Sequence, residues 1–199
     1  MMQQTITYTS HRISVSSVEL PITIEAARAH LRAEEFAHDD EYIESLIRTA
    51  AATIEKNYGV SLLQQTIVET HSAFPRGTAE PFLLRISPLV SVSSIEYVDS
   101  GGATQTWSNT EYVSGRYNNT AFVTPKTGYS YPGSVAIRPD AIRITYVAGF
   151  GTKASQVPHD VKHAMLLMIG NLYDNREDAP FTLPTAADSL LRPYYNFSI

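Results

Sequence analysis

Two histidines four positions apart are the residues of this chain that could bind a catalytic metal. The stretch HDVKH puts His159 and His163 on one face of a predicted helix, at the spacing of the zinc ligands in His-Glu-x-x-His proteases. Asp160 stands where those enzymes have a general-base glutamate, and Lys162 adds a positive charge beside the candidate site. No third ligand is apparent downstream. We interpret both histidines as solvated or hydrogen-bonded, and keep a small metal-dependent or hydrolytic enzyme using this helix as the alternative function.

A pair of glycines in ITYVAGFGTK is the candidate for phosphate binding. Gly149 and Gly151 follow a strand-like run, but a dinucleotide fingerprint needs a third glycine where Ala154 stands. A P-loop is excluded as well, because threonine precedes the lysine and the leading glycine is missing. The next helix starts only after Pro158, too late to direct its N-terminal amides at a phosphate. We interpret the glycines as a turn that ends the strand.

Covalent and acid–base catalysis have no clear residues either. The chain contains no cysteine, and no Gly-x-Ser-x-Gly elbow presents a serine nucleophile. The neighbouring acids Asp39 and Asp40 occur where a helix begins, so they are interpreted as caps. The sequence therefore predicts a protein that is not an enzyme and that uses no metal or cofactor.

Composition and charge predict an ordinary globular protein. The chain has 199 residues, 43% hydrophobic and 18% charged, enough to bury a core of its own. Fifteen lysines and arginines against twenty acidic residues give a formal charge of −5, and no stretch gathers the basic residues into a stripe. Tight binding to a nucleic-acid backbone needs such a stripe. Double-stranded DNA is therefore expected to pass this protein without specific binding.

The N-terminal sequence and the hydropathy pattern bear on localisation. MMQQTITYTSHRIS has neither a cationic start nor an apolar region of the kind found in secretory signals. No apolar run is long enough to span a bilayer. We therefore expect synthesis in the cytoplasm and no membrane partner.

Helical periodicity occurs near both ends of the chain and strand periodicity in the middle. Helices are predicted over about 23–32, with Thr23 as the cap, over 40–58, and over 158–175. From about 61 to 150 the period changes to two, which indicates an inserted β region. Within it, GRYNNTAFVTPKTGYSYPGS is expected to form a projecting loop or a distorted hairpin.

The third helix is apolar around most of its circumference. Six consecutive apolar residues, from Ala164 to Ile169, leave little polar surface at its centre. Such a helix is buried on more than one side, in a deep core or at a second protein surface. We therefore expect part of Leu166, Leu167 and Ile169, or the strands that they cover, to lie near a contact between subunits.

Five blocks of the sequence occur in an order that resembles the head-tail connector (adaptor) proteins of tailed phages and phage-like gene transfer agents. The likeness runs from Leu20 to Glu177, most of the chain. The blocks are LPITIEAARAHLR, DDEYIESLIRTAAATIEKNYGVSLLQQTIVE, RISPLVSVSSIEYVDSGGATQTW, AIRITYVAGFG and VPHDVKHAMLLMIGNLYDNRE.

The resemblance implies a structural virion protein at the head-tail interface, the virion neck, made in the cytoplasm of a bacterial host. Such chains form a homo-oligomeric ring, a dodecamer in the particle, beneath the portal protein. The ring continues the DNA channel and offers a platform to a tail-side neck or stopper protein. The implied fold class is α+β. A single connector domain over 1–199 would combine a small bundle of the N- and C-terminal helices with an inserted antiparallel β region and an extended C-terminal tail over about 177–199.

Two segments carry the predicted contacts. The C-terminal tail concentrates apolar and aromatic area, and in the resembling family this segment enters the portal. We expect it to be mobile in the free protein and to order on portal binding through Leu190, Leu191, Arg192, Tyr194, Tyr195 and Phe197. The projecting loop is expected to contact a neighbouring subunit or a tail-side protein, or else to close the end of the sheet, through Tyr117, Phe122, Tyr129 and Tyr131.

Overall fold

The computed structural model of the chain describes residues 8–13, 19–32, 39–77, 80–175 and 183–196. These residues contain four α-helices: α1 (Ile24–Leu31), α2 (Asp40–Tyr58), α3 (His159–Asp174) and α4 (Thr185–Leu191). The strands are β1 (Tyr8–Ile13), β2 (Gln65–His71), β3 (Phe82–Leu84), β4 (Leu89–Val98), β5 (Thr104–Thr106), β6 (Tyr112–Tyr117), β7 (Thr120–Pro125) and β8 (Ile142–Ala148). The predicted α+β class is confirmed, and the first three helices lie within about one residue of their predicted bounds.

The chain divides into two compact units. The helical unit is drawn from residues 16–64 and 149–195, and the β unit from residues 1–15, 65–148 and 196–199. Each unit has a hydrophobic core of its own. None of the helices in the described ranges is long and apolar enough to cross a membrane.

Sequence signals at the helix ends explain where α1 and α2 begin and end. The Thr23 hydroxyl accepts a hydrogen bond from the Ala26 amide at 3.2 Å, which is the predicted cap. Gly59 ends α2 with a left-handed φ of 63°. The buried face of α2 follows the predicted helical period, and it packs in the core with α3.

Asp39 and Asp40 do not cap α2, so that prediction is corrected. Asp39 makes no side-chain capping bond; its carboxylate instead accepts the Tyr173 hydroxyl of α3 at 2.7 Å. Asp40 binds the Arg28 guanidinium of α1 in a bidentate pair, with Nε at 2.7 Å from Oδ1. The hydrogen bonds from Arg28 hold the pKa of the Asp40 carboxyl below its usual value. The two acids therefore join α2 to its neighbours.

The β unit contains two antiparallel sheets. The larger sheet has the strand order β1-β2-β8-β4-β5, and the smaller has the order β3-β7-β6. Burial alternates along β2 and β8, so that every second side chain enters the core, as a half-buried strand requires. The core side chains come from both sheets and from the loops between them, and include Ile67, Phe82, Leu84, Ile95, Trp107, Ile142 and Ile144.

The segment predicted as a loop or distorted hairpin is in part a regular hairpin. Strands β6 and β7 are joined by a two-residue turn in which Asn118 has a φ of 52°, a conformation that asparagine tolerates. The prediction did not define these strands, because glycine, arginine and threonine weaken the alternating apolar pattern. Strand β1 was not predicted at all, and it pairs with β2 at the edge of the larger sheet.

The prediction that the glycines after β8 form a turn that ends the strand is confirmed. Gly149 has a φ of +140°, and a Cβ there would lie 2.5 Å from the backbone carbonyl of Leu63. Beyond it, the Gln156 side chain folds into the turn, where its Oε1 accepts the amides of Thr152 at 2.9 Å and Lys153 at 3.1 Å. Two amides of this turn, those of Thr152 and Lys153, are therefore already bonded within the chain.

We expect Gly149→Ala to lower the free energy of unfolding by more than about 2 kcal/mol, because the added methyl group requires both a strained φ and a shift of the Leu63 backbone. Urea denaturation followed by circular dichroism measures the change. Gly133→Ala is the control, since a Cβ at Gly133 meets nothing within 4 Å. Equal unfolding midpoints for the two variants would contradict the expectation.

Candidate functional site

The histidines of HDVKH lie at the start of α3 and are exposed. Asp160 between them is bonded within the helical unit, since both of its carboxylate oxygens accept the Tyr194 hydroxyl at 2.8 Å. Within the described ranges, no group of three or more histidine, aspartate or glutamate side chains is arranged to hold a metal ion. The Asp160–Tyr194 bond in this stretch supports packing of the helical unit.

The C-terminal segment is folded over residues 183–196, contrary to the expected mobile, extended tail. It forms α4 and a short 3-10 helix, Arg192–Tyr194. Ala187 and Leu191, four positions apart, are both fully buried in the core of the helical unit. The segment folds because TAADSLL is long enough for about two helical turns. Those turns present one apolar face to the core that α2 and α3 share.

Three tyrosine–aspartate hydrogen bonds join α2, α3 and the C-terminal segment. Tyr173 of α3 donates to Asp39 at the start of α2 at 2.7 Å. Tyr58 at the end of α2 donates to Asp188 of α4 at 2.6 Å. Tyr194 donates back to Asp160 at the start of α3. Each of the three elements thus contributes one aspartate and one tyrosine, and we call this set the Tyr–Asp triangle.

Three members of the triangle have shifted pKa values. Burial, and then the hydrogen bond to Asp160, raises the pKa of Tyr194 to about 12. Burial and the Asp188 carboxylate raise the pKa of Tyr58 well above its ordinary value. The hydrogen bonds from Tyr58 and Arg192 lower the pKa of Asp188. The folded state therefore favours the neutral phenols of Tyr58 and Tyr194 and the charged carboxylate of Asp188.

The predicted portal-binding residues fall into different environments. Leu191 is fully buried in the helical core, whereas Leu190 is half-buried. Arg192 is exposed, and its Nε lies 3.1 Å from Asp188 Oδ2. Tyr194 packs edge-on against Phe150, and Tyr195 packs edge-on against Tyr58. Phe197 lies outside the described residues.

Asn196 is a residue that the sequence analysis missed. It belongs to the β unit and is fully buried there. Its side-chain amide donates to the carbonyl oxygens of Leu84 at 3.1 Å and Arg85 at 2.9 Å, next to β3. Its partners are more than a hundred positions away in the chain, so no local sequence signal identifies this role.

The four aromatic residues predicted on the loop are also divided. Tyr117 is 75% exposed and Tyr129 is 50% exposed. Phe122 is half-buried, with its ring over Gly115 of the neighbouring strand. Tyr131 is buried in an aromatic cluster, where it stacks on Phe74 with ring centroids 5.3 Å apart. Tyr131 therefore closes the end of the β core, which is the other role considered for this loop.

The α3 residues predicted near a subunit contact lie in or against the helical core. Ile169 is fully buried, so in the described structure its contacts are internal. Leu166 and Leu167 are partly buried and pack against that core. The apolar circumference of α3 is thus largely covered within its own unit, by α1, α2 and α4.

Exposed apolar side chains concentrate elsewhere. Among the described residues, all large hydrophobic side chains classed as exposed belong to the β unit. Only Tyr117 and Tyr129 among them were predicted from the sequence. A strand whose apolar face is exposed has the same alternating pattern as a strand whose apolar face is buried. The exposed set is Leu83, Val90, Val113, Tyr117, Tyr129 and Ile137.

Comparison with known structures extends the description of the fold. A chain of the virion of a native gene transfer agent (GTA) particle matches with a TM-score of 0.78 and 20% identity, over 96% of this chain and 97% of that chain. A chain of the neck of an empty GTA particle, computed with C6 symmetry, matches with a TM-score of 0.76 and 21% identity. The same values hold for a chain of the neck of a native GTA particle computed with C12 symmetry, and both neck matches cover 96% of this chain and 97% of that chain.

These likenesses span nearly the whole of both chains, so they concern the complete α+β fold rather than a shared motif. At identities of 20% and 21% they show the fold. No protein-family model matches the chain, and no curated protein sequence matches it.

We expect the stability of the helical unit to fall at alkaline pH. A phenol whose pKa is raised by folding contributes stability that is complete below about pH 10, the unfolded value, and is lost as the pH rises through the folded value. For Tyr194 that window extends from about 10 to about 12. Urea midpoints measured across this range should decline, and the decline should be shallower in Tyr194→Phe. Parallel curves for the two proteins would contradict this coupling.

We expect Leu191→Ala to cost about 3 kcal/mol of unfolding free energy, because it removes a fully buried side chain from the helical core. Truncation after Ser189 should cost more, since it also removes the Tyr194 bond to Asp160. Thermal and urea denaturation measure both effects. Arg192→Ala is the matched control, because the neighbouring Arg192 is exposed. A truncated protein as stable as the full chain would instead support the expectation that the C-terminal segment is mobile in the free protein.

Proposed function

We propose that this chain is a structural virion protein that forms a ring adaptor between the portal and the tail of a phage-like particle, and that it has no enzymatic activity. The observation that carries the proposal is the likeness of the whole fold to chains from the neck of GTA particles. Those necks were computed with sixfold and twelvefold symmetry, which supports a homo-oligomeric ring, a dodecamer in the particle.

The charge of the chain supports a ring through which DNA passes. A protein that continues a DNA channel must let the duplex slide, so tight contacts to phosphates would oppose its role. The chain carries twenty acidic and fifteen basic residues. Its lumen would therefore be free of specific DNA contacts, and the protein would act at the virion neck after synthesis in the cytoplasm of a bacterial host.

The C-terminal segment is the proposed portal-binding site. Because the segment is folded, only its accessible side chains are proposed to contact the portal. Leu191 and the Tyr–Asp triangle fix the segment on the helical unit, so they act as support. The accessible side chains beside this support are Leu190, Arg192 and Tyr195. The ring of Tyr194, whose hydroxyl belongs to the triangle, is half-buried, and Phe197 follows in the sequence. Arg192 is proposed to exchange its surface pair with Asp188 for a carboxylate of the portal protein.

We propose that the ring also binds a tail-side neck or stopper protein. The two exposed loop aromatics, Tyr117 and Tyr129, are available for that contact or for a contact with a neighbouring subunit. Aromatic side chains suit such surfaces because they bury much area at a low cost in conformational entropy. Leu166 and Leu167 remain secondary candidates, because they are only partly covered by their own unit.

We expect the purified chain, mixed with the portal protein of the same particle, to form rings on the portal that are visible by negative-stain electron microscopy. A portal that stays uncovered at concentrations well above those in an infected cell would contradict the adaptor role. Particles made without this chain should be DNA-filled heads that lack tails. Tailed, infectious particles made without it would contradict the role independently.

We expect Arg192→Glu to weaken binding to the portal about tenfold, because it replaces an attractive interfacial charge with a repulsive one. Co-sedimentation with portal rings gives the affinity. Arg48→Glu is a matched control, since Arg48 is also exposed and also pairs with an acid four positions away, Glu44, at 2.7 Å. Equal losses in both variants would indicate a general effect of charge and would remove Arg192 from the binding site.

A further inference from the structure

The outward face of the smaller sheet is apolar and continuous. The pairing register aligns Leu83 of β3, Phe122 of β7 and Gly115 of β6 in one row across the sheet. Val113 and Tyr117 lie two positions on either side of Gly115, so their side chains project from the same face. Leu83 is 43% exposed, Val113 44% and Tyr117 75%. We call these residues, together with Phe122, the outer sheet face.

The outer sheet face carries no charge. Its remaining positions on β7 are Thr120 and Thr124, so none of the outward positions in the three strands is ionisable. The Phe122 ring lies over Gly115, where an added Cβ would be only 3.2 Å from the ring. Because glycine has no side chain there, the ring can lie against the backbone of β6. An exposed leucine alone is ordinary, but a contiguous apolar face across three strands marks an interaction surface.

A second apolar surface of different shape lies on the loop before β8. Ile137 is 93% exposed, although the backbone on both sides of it is fixed. The Ala136 amide donates to the Val98 carbonyl at 2.8 Å, and the Val98 amide donates to the Ala141 carbonyl at 2.8 Å. Ile137 is therefore held out from the β unit as a projecting apolar residue.

The charges next to Ile137 neutralise each other. Arg138 and Asp140 form a bidentate pair, with both hydrogen bonds at 2.6 Å. A partner that covers Ile137 would therefore meet the paired charges of Arg138 and Asp140, while the outer sheet face carries no charge. Burying an unpaired charge in a contact is costly, so these two surfaces are matched electrostatically.

We infer that Ile137 of one copy packs on the outer sheet face of the next copy, so that the β units form a subunit contact of the ring. This inference rests on the proposed function, because a closed ring needs two different surfaces of one chain to meet. The outer sheet face and Ile137 account for four of the six large exposed apolar side chains among the described residues. Contacts between permanent copies are more apolar than other interfaces, which favours a second copy as the occupant.

The absence of cysteine from the chain makes a direct test possible. We expect a mixture of Tyr117→Cys and Ile137→Cys proteins, treated with a short bismaleimide, to give covalent dimers several-fold faster than either variant alone. A mixture of Tyr117→Cys with Ser155→Cys is the control, since Ser155 is exposed and belongs to the helical unit. The double variant Tyr117→Cys/Ile137→Cys should give a ladder of covalent oligomers up to the size of the ring.

A pair of neighbouring substitutions separates the contact from folding. Val113→Glu charges the outer sheet face, whereas Ser114→Glu charges the next residue of β6, which is also exposed but projects to the opposite side. We expect Val113→Glu to abolish rings while leaving the thermal melt of the monomer unchanged. Ser114→Glu should leave rings intact.

The outcomes distinguish this inference from the proposed function. Rings that form with no excess cross-linking between positions 117 and 137, or that tolerate Val113→Glu, would overturn the inference and leave the adaptor role standing. If the chain stays monomeric with the portal present and no cross-links form, both fail. Cross-links together with rings lost only in Val113→Glu support both.

Discussion

The Tyr–Asp triangle is the interaction on which the helical unit depends. An apolar core can bring α2, α3 and the C-terminal segment together in several registers, because hydrophobic contact has little directional preference. A hydrogen bond between a phenol and a carboxylate has a defined direction and length, and three of them join the three elements pairwise. Each element donates once and accepts once, so no element can slide along another without breaking two bonds. The triangle therefore sets the register, while the buried side chains provide most of the stability.

In the β unit, the directional hydrogen bonds between elements come from a buried carboxylate. Glu69 is fully buried on β2, where its carboxylate accepts the Arg85 amide at 2.9 Å and the Tyr146 hydroxyl, and lies 3.1 Å from the His71 ring. The backbone after β3 leaves its sheet at this point, so its amides need acceptors other than a neighbouring strand. Tyr146 accepts the next amide, from Ile86, at 3.2 Å. A polar network that is satisfied in this way links the larger sheet to the segment that follows β3.

Local sequence patterns predicted the helices well and long-range partners poorly. The period of α2, the Thr23 cap and the Gly59 end depend on residues within a few positions of each other, so they could be identified from sequence alone. Asp39 and Asp40 also had the composition of caps, but distant partners, Tyr173 and Arg28, compete for their carboxylates. The roles of Leu191 and Asn196 likewise depend on residues far away in the chain. The portal-binding and subunit-contact residues stay predictions, because they depend on partner chains.

The strand pairing at the junction of the two units has an evolutionary consequence. Gln65, where β2 begins, pairs with Ala148, where β8 ends. Next to this pair, the Gln64 amide donates to the Gly151 carbonyl at 2.8 Å. Residues 65–148, the largest segment of the β unit, therefore begin and end at neighbouring points, about 5 Å apart as paired strands are. Insertions and deletions between these points can change the size and surface of the β unit while the path of the helices stays the same. Exchange of residues in this insert can therefore give the β unit a new surface without altering the sequence of the helical unit.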